Sequence, residues 1–143
     1  MKVRIKRLYE DAKLPTKAHD DDAGFDLYAH SKSFDDEGNV VYGVGVAFEI
    51  PKGHVGLLFP RSSNAKKDLL LSNSVGVLDS GYRGEVSFKF KPTVFAYKHL
   101  RDYSIGDRIG QIIIMPYPEV EFVEVDELSE TERGAGSYGS SGR

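Results

Sequence analysis

Gly76-Val77-Leu78-Asp79-Ser80-Gly81-Tyr82-Arg83-Gly84-Glu85 is the stretch on which the reading of this chain turns. Val77 and Leu78 lead in as strand residues, Ser80-Gly81 supplies a reversal, and Val86, Phe88 and Phe90 alternate with polar residues on the way out. The pattern predicts a β-hairpin. Its turn sets a carboxylate, Asp79, and an aromatic ring, Tyr82, on either side. An acid beside a Gly turn commonly caps its own backbone, so the ten residues alone allow that reading as well as a functional one.

Strand signals continue outward in both directions. Val3 and Ile5 alternate with Arg4 and Lys6. Ala23-Gly24-Phe25-Asp26-Leu27-Tyr28-Ala29 reads as a short strand with an embedded acid that needs a hydrogen-bond or arginine partner. Val46, Phe48 and Ile50 alternate before Pro51-Lys52-Gly53, and Val55, Leu57 and Phe59 alternate after it, which predicts a second hairpin. Residues 106–115 read as a turn entering a strand apolar on both faces, with the amide of Gln111 in its middle. Val120, Phe122 and Val125, set among glutamates, predict a late strand. The polar residues 11–22 and 31–39 are expected to be a loop and a surface turn; three consecutive carboxylates at Asp20-Asp21-Asp22 cannot all point at one ion.

Pro60-Arg61-Ser62-Ser63-Asn64-Ala65-Lys66-Lys67 predicts a helix-like turn opened by a Ser cap. Arg61, the serine hydroxyls and the first backbone N–H groups suit an anion, and a capped, solvated turn accounts for the same letters. No amphipathic helix of three turns, internal repeat or linker stands out. The expectation is an all-β, distorted jelly-roll β-barrel with at most one short helical segment.

With 143 residues, one compact domain is expected. A formal net charge of −3 gives no electrostatic footprint for polynucleotide, so phosphate binding would rest on local residues and a metal. The absence of cysteine excludes disulfides, thiolate nucleophiles and cysteine-based zinc or iron–sulfur sites. The N-terminus interleaves charges with apolar residues and lacks a signal-peptide core, and no apolar run approaches the ~18 residues of a membrane helix. A soluble protein, cytoplasmic or otherwise intracellular, is expected. Residues 1–128 form the expected β-domain and 129–143 a Gly-rich tail, which reads either as a disordered terminus or as a lid ordering around phosphates.

Five stretches taken in order resemble the trimeric dUTPases over nearly the whole chain. They are Ala23-Gly24-Phe25-Asp26-Leu27, Pro60-Arg61-Ser62-Ser63, the opening Gly76–Glu85 stretch, Gly106-Asp107-Arg108-Ile109-Gly110-Gln111, and Arg133-Gly134-Ala135-Gly136-Ser137-Tyr138-Gly139-Ser140. The resemblance implies a jelly roll that forms homotrimers with active sites at subunit interfaces, each closed by a neighbour's tail. It also implies hydrolysis of dUTP to dUMP and pyrophosphate with Mg²⁺, limiting uracil in DNA and supplying dUMP for dTTP synthesis. By the same resemblance, Asp79 activates the water that attacks the α-phosphorus, and Tyr82 packs under the deoxyribose and refuses a 2'-hydroxyl. Asn73 and the backbone of Val75, Gly76, Val77 and Leu78 bond the uracil edge. Arg61, Ser62 and Gln111 contact phosphates, Arg133 and Ser140 the γ-phosphate, and Tyr138 stacks over uracil; Ser63 and Gly139 join the substrate-binding set. Mg²⁺ is expected on the phosphates with its own waters, without a protein metal cage. Asp26 is expected to support the site by hydrogen bonding, outside the catalytic set.

The chain departs from the common family pattern at four positions. Tyr138 stands where Phe is usual, Ser137 where Gly is common, and Ser63 and Gly110 are variants that remove no group the chemistry requires. Residues 93–103 carry no motif. Two rivals share the fold: a dCTP deaminase, including its bifunctional form, and a non-catalytic nucleotide-sensing or protein-binding relative.

Overall fold

A computed structural model describes residues 1–94 and 99–137. Its strands are β1 (Arg4–Arg7), β2 (Phe25–Tyr28), β3 (Ser31–Phe34), β4 (Val40–Gly43), β5 (Val46–Glu49), β6 (His54–Phe59), β7 (Leu69–Leu71), β8 (Gly76–Leu78), β9 (Ser87–Pro92) and β10 (Arg108–Pro116), and a 3-10 turn spans Ser62–Lys66. Every strand pairing is antiparallel. The strands form a β1-β5 pair and two four-stranded sheets, β2-β10-β6-β8 and β3-β4-β9-β7. The fold is the expected all-β, jelly-roll-like arrangement. Among the described residues the three sheets are not joined into a closed barrel.

Alternation explains which side chains meet. In β9, Phe88 and Phe90 are buried while Ser87, Lys89 and Lys91 are exposed. Those rings stack with centroids 6.1 Å apart, and Tyr42 of β4 meets Phe90 edge-on at 5.9 Å. Leu58, Leu78, Ile109 and Ile112 of the other large sheet share the same core cluster. Burying one such side chain fully stabilises the fold by about 1.5–3 kcal/mol. The Tyr42 hydroxyl is buried but satisfied: it donates to Tyr103 O at 2.9 Å and accepts from Tyr103 N at 3.0 Å. Burial pushes its ionisation far above the usual tyrosine range. As its two apolar faces predict, β10 is central, between β2 and β6.

Four expectations need correction. The opening stretch reverses, with Tyr82 N donating to Asp79 O at 3.1 Å, but its arms do not pair: β8 lies against β6 and β9 against β4 and β7. Neither Ser80 nor Gly81 has the positive φ that a two-residue hairpin turn demands, and Val86 is already bonded through N to Val46 O and through O to Val44 N. The result is an arch between sheets. Likewise β5 pairs with β1 and β6 with β10 and β8, so Pro51-Lys52-Gly53 moves the chain from one sheet to another. Residues 31–34 form a strand, exposed along its length and held by its ladder to β4, which leaves no burial alternation to read. Residues 117–128 form no strand, and Phe122 is 95% exposed.

Candidate active site

The arch and the segment before it build a first cleft, of about 200 Å³. Asn73, Gly76, Val77, Leu78, Asp79 and Tyr82 line it, six of the residues expected to face substrate. β8 is fixed by its register with β6, Leu58 opposite Gly76, Leu57 opposite Val77 and Gly56 opposite Leu78. Ahead of it, Val75 N donates to Asn73 O at 2.6 Å, and Ser74 sits at φ 61°, so the chain bends sharply into β8. Val75 does not itself line the cleft. Val77 points its side chain outward, 65% exposed, whereas Leu78 is buried. What this edge offers a ligand is therefore chiefly backbone.

Asp79 does not behave as a turn cap. Its backbone oxygen closes the turn, and its exposed carboxylate makes no hydrogen bond or ion pair among the described residues. Arg83 latches the turn from outside, with Nη1 donating to Ser80 O at 2.7 Å and Tyr82 O at 2.8 Å. The outcome is an exposed carboxylate carried on a backbone-closed turn.

A second cleft, of about 280 Å³, lies toward the other side of the same sheet, lined by Arg61, Ser62 and Gln111 together with Asp22, Gly24 and Asp26. It shares no lining residue with the first. Arg61 follows β6, Asp26 belongs to β2 and Gln111 to β10, and the register sets Gln111 opposite both Asp26 and Phe59. Asp26 holds two guanidinium groups, Arg61 Nε at 2.7 Å and Arg108 Nη1 at 3.2 Å. Arg61 Nη1 also donates to Ser63 Oγ at 3.3 Å, which places Ser63 behind the arginine. Gln111 Nε2 donates to Pro60 O at 3.2 Å, and a Cβ at Gly24 would collide with the Gln111 amide oxygen. Glycine at 24 is what gives that amide room.

The expected helical turn is present as a 3-10 turn, but its N-cap residue is Arg61 and no side chain caps it. Asn64 anchors it instead, donating through Nδ2 to Leu69 O at 2.8 Å and accepting from Tyr103 Oη at 3.0 Å. Tyr103 thus gives residues 93–103 a visible role: its buried ring steadies the turn that carries Arg61 and Ser62.

Arg133 lies in neither cleft; its Nε donates to Gly136 O at 3.0 Å. Tyr138, Gly139 and Ser140 lie outside the described residues. Sequence reasoning expected Asp26 in a supporting role, set the Asp20-Asp21-Asp22 run aside as a loop and gave Arg108 no role. The signal for Asp26 was an acid inside an apolar strand; Arg108 required the β2–β10 register. For a divalent ion, the described residues contain no group of three or more His, Asp or Glu that could hold one. Asp22 and Asp26 face the second cleft, and Asp26 is committed to two arginines. Among the described residues, no helix is long and apolar enough to cross a membrane.

Comparison with known proteins follows the same lines. The dUTPase family model matches residues 10–142. The deoxyuridine 5'-triphosphate nucleotidohydrolase of Tropheryma whipplei (strain Twist) is 39% identical, over 99% of this chain and 97% of that protein. That of Nocardia farcinica is 40% identical, over 98% of this chain and 85% of that protein. Among solved structures, the Staphylococcus bacteriophage 80alpha dUTPase with dUPNHPP superposes with a TM-score of 0.82 at 29% identity, covering 99% of each chain. A mutant dUTPase of the S. aureus phage phi11, described as coordinating a structural Mg(II) ion, gives 0.76 at 26% identity, over 91% of this chain and all of that one.

Proposed function

Because the chain belongs to the dUTPase family and is a dUTP diphosphatase, we propose that it cleaves dUTP to dUMP and pyrophosphate by Asp79-assisted attack of water on the α-phosphorus. The observation that carries this reading is the free Asp79 carboxylate beside a cleft edged by backbone, on the same sheet as a second cleft built from Arg61, Ser62 and Gln111. A carboxylate without a partner among the described residues is available to orient water and take its proton, worth about 10²–10⁴-fold as general-base assistance. As the water oxygen bonds to the α-phosphorus, the bond from that phosphorus to the bridging oxygen breaks, and pyrophosphate leaves with the electron pair. Charge on the leaving phosphates is met by the preorganised guanidinium, hydroxyl and amide donors of Arg61, Ser62 and Gln111. When bound on the phosphates, Mg²⁺ supplies further charge neutralisation.

Fixed backbone donors and acceptors along 75–78, with Asn73, suit the uracil edge and mismatch that of cytosine, whose unpaired groups would be costly to bury. Tyr82 lies beneath the sugar. The separation of the two clefts supports the homotrimer reading, in which the first cleft of one copy faces the second cleft of another and residues 129–143 of a neighbour close the site. The roles of Arg133, Tyr138, Gly139 and Ser140 rest on the family resemblance. This activity would limit uracil in DNA and supply dUMP for dTTP synthesis in the cytoplasm or another soluble compartment.

The direct test is a panel of dUTP, dCTP, UTP and dTTP assayed for pyrophosphate and ammonia, with Mg²⁺ and with chelator. Pyrophosphate from dUTP alone, abolished by chelator, is the expected outcome. Ammonia from dCTP, or nucleotide binding without pyrophosphate from dUTP, would overturn it in favour of a deaminase or a sensor.

A further inference from the structure

We propose that Glu85 is a positioning residue for Tyr82, and that through Tyr82 it sets the preference for deoxyribose over ribose; this rests on the reading of Tyr82 as the residue beneath the sugar. The Tyr82 ring is 45% exposed and is not seated by core packing. Two contacts define where it stands. Its hydroxyl donates to Glu85 O at 3.0 Å, and its ring lies so close over Gly84 that a Cβ there would strike the ring edge and hydroxyl. Both contacts are to the backbone of 84–85, so the ring is only as well placed as that backbone.

The Glu85 side chain ties that backbone to the body of the protein. Its Oε1 accepts the Gly45 N–H at 2.8 Å at the corner joining β4 to β5. That corner is shaped to admit a carboxylate: Gly45 adopts φ +70°, and a Cβ on Gly43 would stand 2.5 Å from Glu85 Oε1 and 2.6 Å from Ser31 Oγ. Arg83, the nearest cation in sequence, spends its Nη1 on the turn carbonyls instead. Glu85 therefore acts as a peg in a slot that Gly43 leaves open and the Gly45 N–H closes, reinforced by the bonds of Val86 to Val44 and Val46. The base edge has a different anchor, the β8 ladder to β6. Loosening the peg should disturb the sugar test and leave the base test intact, a split that general destabilisation would not produce.

The experiment measures kcat/KM for dUTP, UTP and dCTP in the intact protein and in Glu85→Ala, Glu85→Gln, Gly84→Ala and Tyr82→Ala. Losing a hydrogen bond to a charged acceptor should narrow the dUTP/UTP ratio about tenfold in Glu85→Ala, with the dUTP/dCTP ratio unchanged. Glu85→Gln, whose amide oxygen accepts the same N–H, should restore the ratio. Gly84→Ala, which displaces the ring without touching the carboxylate, should narrow it even if Glu85→Ala fails to fold. If Tyr82→Ala narrows the ratio while Glu85→Ala and Gly84→Ala do not, or if both ratios fall together, the inference is overturned and the Tyr82 reading stands. An unchanged ratio in Tyr82→Ala would remove the Tyr82 reading and this inference with it.

Discussion

The two clefts are made of different materials. In the first, strand register and a backbone-closed turn present main-chain groups and the carboxylate of Asp79, which has no partner among the described residues. In the second, side chains do the holding: Asp26 grips Arg61 and Arg108, Arg61 reaches Ser63, and Gln111 is tied to Pro60. The difference matches the ligands each would meet. A neutral base edge is read by fixed donors and acceptors that no side-chain substitution easily alters, whereas a polyanion needs charges held at defined positions. A catalytic base needs the opposite of the Asp26 arrangement, because a guanidinium partner would oppose its taking a proton.

This contrast can be broken by substitution, most severely at Asp79. Asp79→Asn should retain dUTP binding and lose about 10²–10⁴-fold in kcat, measured by pyrophosphate release and by titration with a non-hydrolysable analogue. Wild-type turnover would end its role. Deleting residues 133–143 should reduce kcat strongly without lowering the unfolding midpoint, read by kinetics beside a thermal melt; an unchanged rate would leave the tail without function. Asp26→Asn should lower kcat/KM about ten- to a hundredfold, because Arg61 and Arg108 lose their shared anion. A negligible effect there would mean that the arginines are positioned without it. Val77→Ala, at an exposed side chain beside a base-reading backbone, should change dUTP/dCTP selectivity less than about threefold.

Acid acts on the support of the second region. Hydrogen bonds from Arg101 hold the Asp68 carboxyl down at about 2, near the turn that carries the second cleft. A folded value below the ordinary one of about 3.9 means that the pair stabilises the fold fully above about pH 5 and progressively less as pH falls toward about 2. In Asp68→Asn the fall in unfolding midpoint between pH 5 and pH 3 should therefore be shallower than in the parent, and an equal slope would show that the pair contributes nothing.

The legible parts of the sequence were those where one chain segment carries its whole signal. Phe88 and Phe90 announced a half-buried strand, and residues 106–115 a turn entering a strand apolar on both faces, because the pattern of apolar side chains reports burial directly. Period does not report the partner. Both expected hairpins therefore proved to be passages between sheets, and β3, exposed on both faces, gave no period at all. Val120, Phe122 and Val125 show the converse, since spacing fit for a strand forms one only when another strand pairs with it, and none does among the described residues. In the site, Arg61, Ser62 and Gln111 were named together from motifs, but their joint dependence on Asp26 with Arg108 arises from a β2–β10 register that local sequence does not encode.

In the proposed assembly a working site joins the first cleft of one copy to the second cleft of another. Subunit mixing tests this most directly. Asp79→Asn and Arg61→Ala chains, each nearly inactive alone, would be unfolded together, refolded at equal amounts and assayed for pyrophosphate release from dUTP. Random assembly should leave roughly a quarter of the sites with an intact Asp79 from one chain facing an intact Arg61 from another, and activity should return in that proportion. Refolded mixtures that form the oligomer but stay as inactive as the separate variants would contradict the account, and would place both clefts of a working site on one chain.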